Sequence, residues 1–511
     1  MMAVKRTETG VRLSRLLPGI HRSIDREVRG ITTDSRRVVP GTVFFARRGL
    51  TVDAAAFIDG AIRAGAVAVV REGEPVGIGF SRGVPEIRVT DLAGVLGRAA
   101  HRFYGEPSRK LQITGVTGTN GKTSVSHFIA HALSAADEGG PAAGVIGTLG
   151  YGPAGNLEPG SLTTPDVTDL HRILANMSAA GIRDVVLEVS SHALSQGRVE
   201  SVRFGVAVFT NLSRDHLDFH GDMSAYGASK ARLFSAPGLH HAVINADDEF
   251  GRELLQGADR NLGLIAYSLD GEPLRFPGRN VTAVHGRLAG IDAAGFDLEI
   301  LMAGEHGRLR APLPGRFNAH NLLAALGALC ARGLGFARAL DLLARIPAVP
   351  GRMQRVENTA GDPLVVVDYS HTPDALSSAL RSLREHCAGR LWCVFGCGGD
   401  RDAGKRPQMG AVAEALADFI VLTDDNPRSE NGDRIIEAIS EGFTRLEIGG
   451  ASLFIERDRS RAIALAVEAA SADDVILVAG KGHETYQETS GVLRPFSDLA
   501  AARNALQGKR S

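Results

Sequence analysis

The chain has 511 residues, and its 57 Lys and Arg residues nearly balance its 58 Asp and Glu residues, which gives a formal net charge of −1 at pH 7. This length suits about three domains, and the near-zero charge excludes binding of nucleic acid or membranes by bulk electrostatics. The content of 44% hydrophobic and 23% charged residues excludes a largely disordered chain. Glycine, at 61 residues, favours a protein with many tight turns and close backbone approaches to ligands.

Short apolar runs alternate with helix-length segments in chain order, which predicts parallel sheets built from βαβ units. A linker-like Glu-Pro-Ser at 106–108 follows the first three runs, and a stretch with two prolines and a glycine at 346–351 indicates a second boundary. We therefore predict three tandem α/β domains: residues 1–108, 109–349 with a P-loop-type parallel sheet, and 350–511 with a Rossmann-like fold. The predicted strands lie at 42–46, 66–70, 87–89, 111–116, 184–189, 206–209, 241–244, 364–368, 391–395, 418–423 and 474–479.

The cysteines and the first residues indicate the compartment. Cys393 and Cys397 have a CxxxC spacing without a second pair or a histidine cluster, so we predict reduced thiols, as for Cys330 and Cys387, and not a zinc site. The first nineteen residues lack the apolar core of a signal peptide, and no apolar run has the length of a membrane helix. We expect a cytoplasmic protein.

A glycine-rich turn indicates a nucleotide site. Residues 111–124 read LQITGVTGTNGKTS, a strand-like run followed by glycines and a helix-like segment. Backbone N–H groups of such a turn and the positive end of the next helix bind phosphate, Lys122 neutralises its charge, and the Thr123 hydroxyl suits nucleotide-bound magnesium. The predicted loop comprises Gly118, Thr119, Asn120, Gly121, Lys122, Thr123 and Ser124. Glu188 lies at the end of another predicted strand and adds a hard oxygen ligand for Mg²⁺.

Further motifs follow in a consistent order along the chain. They are TTDSR (32–36), TGTNGKTS (117–124), TTPD (163–166), LEVSSHALSQGRV (187–199), NLSRDHLDFHG (211–221), YGASKARLF (226–234), GRFNAHN (315–321), PGRM (350–353), DYSHTPDAL (368–376), GCGGDRDAGKRP (396–407), DDNPR (424–428) and GKGHETYQ (480–487). Together these motifs resemble those of the Mur ligases, the ATP-dependent amide-forming family that builds the stem peptide of peptidoglycan. Within the family, the chain most resembles members that add meso-2,6-diaminopimelate to the D-Glu γ-carboxylate of UDP-N-acetylmuramoyl-L-alanyl-D-glutamate. The resemblance implies small-molecule substrates and roles in cell wall biogenesis, cell shape and cell division, and we expect a monomer.

The resemblance also implies the roles of single residues in ATP and Mg²⁺ binding. It makes His216 a further metal ligand and Lys230 a lysine carboxylated by CO₂, whose carbamate helps to hold magnesium. Forming that carbamate requires a neutral amine, and therefore a depressed pKa. It places three further residues near the nucleotide, Asn318, Asn321 and Arg352, and it makes Arg352, Asp368 and His371 groups that domain closure delivers onto ATP.

Substrate residues follow from the same resemblance. Thr33 and Ser35 are expected on the uridine side, although the loop 49–53 (GLTVD) departs from the more polar form of the relatives. The muramoyl dipeptide is expected along Thr163, Thr164, Ser190, Gln196 and Arg198. Meso-diaminopimelate carries an ammonium and a carboxylate on its distal carbon, and a guanidinium suits the carboxylate. The residues predicted to bind it are Arg401, Asp425, Asn426, Pro427, Arg428, Gly480 and Glu484.

Three alternatives remain open at this point. The chain could add L-lysine in place of diaminopimelate, although an Arg428 left without a partner would make lysine costly to bind. It could be a folylpolyglutamate synthase-like ligase, which would not be expected to carry DNPR together with GKGHETYQ. It could also be a P-loop switch, which would hydrolyse ATP without needing a carboxylate and an amine.

Overall fold

The computed structural model describes residues 10–47, 54–137, 139–271, 276, 278–292, 294–359, 361–445 and 452–509. The loop 49–53 lies outside these residues. The chain divides into two compact units. Unit 1 contains residues 1–266, 276–281 and 327–333, and unit 2 contains residues 267–275, 282–326 and 334–511. The three-domain division with boundaries after 108 and 349 stays a prediction.

Unit 1 begins with a small sheet that buries one of its inner strands completely. Four of its five strands pair in parallel, and Gly77–Ser81 pairs antiparallel with Val84–Val89 at one edge. All five residues of the strand Thr42–Ala46 are buried, which explains its continuous apolar run. The strands lie in the order Gly30–Thr32, Thr42–Ala46, Ala66–Glu72, Val84–Val89 and Gly77–Ser81, and a separate pair joins Val11–Arg12 to Glu27–Val28.

A second sheet of unit 1 positions the phosphate loop. Its strand Gln112–Thr117 pairs in parallel with Asp184–Glu188 on one side and with Val206–Phe209 on the other. Because these strands are parallel, their carboxyl ends meet at one edge, where α/β proteins bind ligands. The strands of unit 1 lie in the order Gly150–Pro153, Gly144–Gly147, Asp184–Glu188, Gln112–Thr117, Val206–Phe209 and His241–Asn245, followed by Gly263–Leu269, whose last residues belong to unit 2.

Aspartates begin several helices of unit 1. The side chains of Asp91, Asp166, Asp222 and Asp248 each accept a hydrogen bond from a backbone N–H in the first turn of the following helix. The helices are Leu13–Leu16, Ile58–Arg63, Leu92–Phe103, Lys122–Ala136, Val167–Ala179, Ser191–Ser195, Leu217–His220, Met223–Ala231 and Glu249–Gly257, with 3₁₀ turns at Arg22–Ile24, Ser35–Arg37, Ala54–Phe57, Pro107–Arg109 and Arg232–Ser235.

Unit 2 contains a parallel sheet that is buried on both faces. Val366 and Cys393 belong to one core cluster, whereas their neighbours Val365 and Trp392 belong to another. The strands lie in the order Gln354–Arg355, Leu364–Asp368, Val475–Ala479, Leu391–Phe395, Phe419–Leu422 and Leu453–Ile455, of which only Gln354–Arg355 is antiparallel to its neighbour.

The remaining elements of unit 2 include an antiparallel segment that the sequence did not predict. Its strands are Val281–Asp292, whose first residue belongs to unit 1, Gly295–Met302 and Glu305–Ala311. A hairpin pairs Tyr486–Thr489 with Val492–Pro495. The helices are Arg316–Ala331, whose last turn belongs to unit 1, Phe336–Leu343, Pro373–Arg384, Lys405–Leu416, Gly432–Ser440, Arg459–Ala469 and Asp498–Lys509.

The predicted α/β class and all eleven predicted strands are confirmed, with ends that differ by a few residues. All four cysteines are free thiols, and the Sγ atom of Cys397 lies 3.6 Å from the Sδ atom of Met409. In the part of the chain that the structure describes, no helix has the length and apolar character needed to span a bilayer.

Candidate active site

The predicted phosphate loop connects the strand Gln112–Thr117 to the helix Lys122–Ala136. Gly118 has a φ of +149°, and a Cβ atom there would lie 1.8 Å from the Thr210 hydroxyl oxygen, so only glycine fits. Gly121, with a φ of +84°, turns the chain into the helix. Thr119 N donates to the carbonyl oxygen of Asn211 at 2.8 Å. The loop is therefore fixed by the segment that follows the neighbouring strand.

Two amines meet at this loop. Lys122 Nζ donates to the carbonyl oxygens of Gly118 and Thr119, both at 2.8 Å. Lys230, on the helix Met223–Ala231, also donates to the Gly118 oxygen at 2.8 Å, and its side chain is buried. Its Nζ atom lies 4.3 Å from the ring centre of Tyr226. Burial and the nearby Lys122 charge lower the pKa of Lys230 well below its usual value.

The Glu188 carboxylate is the centre of a buried group of donors. Thr123 donates its hydroxyl to Glu188 Oε2 at 3.0 Å. Thr148 donates its backbone N–H to Oε1 at 2.9 Å and its hydroxyl to Oε2 at 3.0 Å. Thr164 donates its hydroxyl to the Glu188 carbonyl oxygen at 2.7 Å. The side chain is thus held in one orientation beside the amino terminus of the phosphate-loop helix.

His216 begins the short helix Leu217–His220 in a left-handed conformation, with a φ of +54°. Its Nε2 atom lies 3.4 Å from Oδ2 of Asp215, and its ring packs edge-on against His192 at 4.7 Å. Burial lowers the pKa of His216, which Asp215 partly opposes and Lys122 and Lys230 reinforce. A neutral imidazole is the form that can bind a metal.

The residues predicted along the muramoyl dipeptide form a connected polar row. The Thr148 and Thr163 hydroxyls lie 3.1 Å apart, and Ser190 N donates to the Thr164 hydroxyl at 3.0 Å. Arg198 donates to Gln196 Oε1 at 2.9 and 2.6 Å and to the Thr164 carbonyl oxygen at 3.1 Å.

The two residues expected on the uridine side, Thr33 and Ser35, lie in the amino-terminal sheet region of unit 1. Thr33 follows the strand Gly30–Thr32, and Ser35 opens the 3₁₀ turn Ser35–Arg37. The Asp34 side chain begins that turn by accepting from Arg36 N.

The donor set of unit 1 fits magnesium in part. Glu188 and Thr123 supply the hard oxygen ligands that Mg²⁺ prefers. His216 would add a nitrogen ligand if it reached the same ion. Lys230, as a protonated ammonium, would repel the metal, and it fits the predicted ligand set only after conversion to the anionic carbamate. Its depressed pKa provides the neutral amine which that conversion needs.

Unit 2 holds the other predicted nucleotide residues. Asn318 donates to the Pro314 carbonyl oxygen at 2.8 Å, and Asn321 donates to Asn318 Oδ1 at 3.1 Å, so the two asparagines share one helix face. The guanidinium carbon of Arg352 lies 4.7 Å from the Tyr369 ring centre. Asp368 accepts from Met353 N at 2.7 Å and from the Ser370 hydroxyl.

Asn426 and Glu484, two of the residues predicted to bind the incoming amino acid, belong to a buried hydrogen-bonded network in unit 2. Asn426 Nδ2 donates to Glu484 Oε2 at 2.8 Å. Lys481, which is fully buried, donates to both Asn426 Oδ1 at 2.9 Å and Glu484 Oε2 at 2.8 Å. Burial raises the pKa of Asp425, which the charges of Arg459 and Lys481 oppose. A Cβ atom on Gly480 would lie 2.4 Å from Asp425 Oδ2, so glycine allows this carboxylate its position.

Arg428 follows Pro427 with a φ of +52°. Its Nη1 atom donates to the Gly399 carbonyl oxygen at 2.7 Å, and its Nε atom lies 3.4 Å from Oε2 of Glu488. The expectation that lysine leaves Arg428 without a partner is therefore corrected, because Glu488 faces it in the protein itself. Arg401 is exposed in the loop that follows the strand Leu391–Phe395.

Several residues of these two groups were not predicted. Thr148 and Tyr226 contact predicted site residues in unit 1, and Lys481 and Glu488 do so in unit 2. Lys481 lies between Gly480 and Glu484 in the GKGHETYQ motif, which was the available signal. Thr148 had none, since a single threonine after a strand is common.

Three family models match consecutive parts of the chain. They are described as Mur ligase family, catalytic domain (27–104), Mur ligase middle domain (116–329) and Mur ligase, glutamate ligase domain (351–482). The chain is 49% identical over 495 residues to UDP-N-acetylmuramoyl-L-alanyl-D-glutamate–2,6-diaminopimelate ligase of Pseudomonas aeruginosa, which covers 97% of this chain and 98% of the relative. The chain belongs to the Mur ligase family.

Solved structures agree with membership of the Mur ligases. A structure of UDP-N-acetylmuramoyl-L-alanyl-D-glutamate–2,6-diaminopimelate ligase is 34% identical with a TM-score of 0.71, and the match covers 98% of this chain and all of that one. A folylpolyglutamate synthase of Mycobacterium tuberculosis is 21% identical with a TM-score of 0.57 and covers only 75% of this chain. The latter similarity extends to the fold alone.

Proposed function

We propose that this Mur ligase joins the amine of meso-2,6-diaminopimelate to the D-Glu γ-carboxylate of UDP-N-acetylmuramoyl-L-alanyl-D-glutamate, with conversion of ATP to ADP and phosphate. The observation that carries the choice of amino acid is the Asn426 network. It links the Glu484 carboxylate, which suits an ammonium, to the loop of Arg428, which suits a carboxylate. Two relatives that are 49% and 45% identical over 97% of this chain bear the name of this activity.

The reaction has two steps. An oxygen of the γ-carboxylate attacks the γ-phosphorus of ATP, the bond to the ADP oxygen breaks, and an acyl phosphate forms. The amine nitrogen then attacks the acyl carbon, and collapse of the tetrahedral intermediate expels phosphate while the nitrogen loses a proton. Both steps accumulate negative charge, so positioning and electrostatic neutralisation are the main tasks of the protein.

The residues of unit 1 suit the first step. Lys122 and the phosphate loop of residues 118–124 bind the ATP phosphates, and Arg198 pairs with a carboxylate of the D-Glu residue. Thr123, Glu188, His216 and carboxylated Lys230 would hold Mg²⁺, which would neutralise charge on the phosphate oxygens. In unit 2, Asn318, Asn321 and Arg352 bind the nucleotide, and Asp368 positions the backbone that follows Arg352 through its bond to Met353 N.

The residues of unit 2 suit the second step. Arg428, with Arg401 as a second cation, binds the distal carboxylate of diaminopimelate. Asp425 and Glu484 accept hydrogen bonds from its ammonium, Asn426 holds Glu484 in place, and Pro427 and Gly480 shape the backbone around it. The same proposal makes the chain a cytoplasmic monomer that acts in peptidoglycan precursor synthesis, and through it in cell shape and cell division.

Phosphate release tests the proposal. The purified chain is given ATP, Mg²⁺ and the UDP-muramoyl dipeptide, with meso-diaminopimelate or L-lysine in parallel, and the product is weighed by mass spectrometry. Release that requires diaminopimelate, with a product heavier by that residue, supports the proposal. Equal or faster turnover with lysine would overturn the choice of amino acid, and steady release without either substrate would favour the P-loop switch.

A variant pair sharpens the assignment of Arg428. Arg428→Met should raise the KM for diaminopimelate about 10- to 100-fold, because a charge-assisted hydrogen-bonded pair is lost. Arg434→Met, at an exposed arginine of the helix Gly432–Ser440, is the matched control and should leave KM unchanged. An equal rise in KM for both variants would show that Arg428 does not bind diaminopimelate.

A further inference from the structure

Arg428 faces a carboxylate of the protein, that of Glu488. Its Nη1 atom is engaged by the Gly399 carbonyl oxygen at 2.7 Å, which leaves Nε and Nη2 as the fork for a ligand. Oε2 of Glu488 lies 3.4 Å from Nε on this side. The two side chains are 21% and 29% exposed, so their charges are only partly screened by solvent.

The backbone around Glu488 holds its side chain at this place. Glu488 N donates to Asn426 Oδ1 at 2.9 Å, and Arg428 N donates to the Glu488 carbonyl oxygen at 3.1 Å. Ser490 N donates to the Arg428 carbonyl oxygen at 2.6 Å, which completes a bridge between the two segments. These bonds involve no atom of the Glu488 carboxylate, so a change of that group should leave the hairpin in position.

We propose that Glu488 is an internal counter-ion of Arg428 that competes with the distal carboxylate of the incoming amino acid and thereby sets the specificity of the ligase. This inference rests on the proposed function. Two carboxylates at one guanidinium fork repel each other, so diaminopimelate binds only when the Glu488 side chain turns away. When no ligand carboxylate is present, Glu488 keeps Arg428 neutralised.

The pairing of Glu488 with Arg428 has the opposite effect on the binding of lysine. Lysine has an ammonium but no carboxylate on its distal carbon, so it leaves Arg428 to its internal partner. Glu488 lowers the cost of that state, because the guanidinium is not left as an unpaired charge. Glu488 therefore weakens diaminopimelate binding and reduces the penalty against lysine, and its removal should widen the preference for diaminopimelate.

Steady-state kinetics of Glu488→Gln and Glu488→Ala test the proposal. Both variants should lower the KM for diaminopimelate about fivefold, the factor expected for one partly exposed ion pair. The KM values for ATP and for the UDP-muramoyl dipeptide, and kcat, should not change. The KM or inhibition constant for L-lysine should rise. Glu86→Gln is the matched control, since Glu86 pairs with Arg71 at 2.8 Å at similar exposure in unit 1.

The outcomes separate the inference from the proposed function. Wild-type turnover with diaminopimelate decides the function, and the ratio of variant to wild-type KM decides the role of Glu488. A raised KM would make Glu488 a residue that orients Arg428, and an unchanged KM would make it inert, so either result overturns the inference. Thermal unfolding of both variants checks that the fold is intact.

Discussion

The side-chain amines of Lys122 and Lys230 both lie 2.8 Å from a single backbone oxygen, that of Gly118. Two cations at one carbonyl repel each other, and the buried one is the costlier to keep charged. Lys230 is the buried member, and its pKa is lowered accordingly. The phosphate loop thus helps to prepare a neutral amine on a helix more than a hundred residues further along the chain.

Lys230→Met should stabilise the folded protein at pH 7 in CO₂-free buffer while it abolishes ligation. The unfolded lysine is protonated below its usual pKa of 10.5, whereas the buried amine is neutral down to a much lower pH. The unfolded state therefore binds more protons, and wild-type stability rises with pH towards 10.5. Urea unfolding should show that the advantage of the variant shrinks as pH approaches 10. A constant advantage would contradict the lowered pKa.

Thr148→Val should reduce kcat about tenfold and weaken Mg²⁺ binding. Its hydroxyl orients Glu188, and the loss of such supporting bonds typically costs 10- to 100-fold in metal affinity or activity. Phosphate release measured against Mg²⁺ concentration gives both values. Thr444→Val is the matched control, since the Thr444 hydroxyl donates to Glu414 at 2.9 Å on an exposed surface of unit 2. Equal Mg²⁺ titrations of wild type and Thr148→Val would exclude this role.

Lys481→Met should raise the KM for diaminopimelate about tenfold without changing that for ATP. The buried ammonium fixes the Asn426 amide so that Nδ2 points to Glu484, and its loss frees both side chains from that geometry. The exposed Lys110 provides the control substitution Lys110→Met. A similar rise in the KM for ATP would indicate general damage to the unit rather than a role at the amino-acid site.

His171→Gln should make the protein more resistant to acid. His171 is fully buried, donates to the Glu200 carbonyl oxygen at 3.0 Å, and has a pKa lowered by burial to about 4. Between pH 6.5 and 4 the unfolded histidine takes up a proton that the folded one does not, so stability falls by about 3 kcal/mol over this range.

Urea unfolding at pH 7.5, 5.5 and 4.5 checks the effect of His171. The free energy of unfolding should fall less with decreasing pH in His171→Gln than in the wild type. In His306→Gln, at an exposed histidine, it should fall as in the wild type. The same decline in all three proteins would show that His171 contributes nothing to acid sensitivity.

The parallel strands could be predicted because they are buried on both faces and read as unbroken apolar runs. Leu364–Asp368 and Leu391–Phe395 match their predicted bounds for this reason. The antiparallel strands Val281–Asp292 and Glu305–Ala311 were missed because many of their residues are exposed or half-buried, and charged residues interrupt the apolar pattern.

The site could be predicted where a residue's chemistry belongs to a motif. Lys122 and Thr123 follow from the turn itself, and Asn426 and Arg428 follow from the resemblance. The partners that orient them could not be predicted, because pairing across long sequence separations depends on sheet register. Thr148 reaches Glu188 across 40 residues, and Glu488 reaches Arg428 across 60.

The last helix, Asp498–Lys509, contributes directly to the amino-acid region. Asp498 pairs with Arg459 at 2.6 and 2.8 Å, both side chains have no exposed surface, and Arg459 also donates to the carbonyl oxygen of Ala479, next to Gly480. Truncation before Asp498 would leave the buried Arg459 guanidinium without its carboxylate partner, next to the strand that leads into GKGHETYQ. A shortened chain would thus bind the incoming amino acid more weakly, even though every residue expected to contact that ligand was still present.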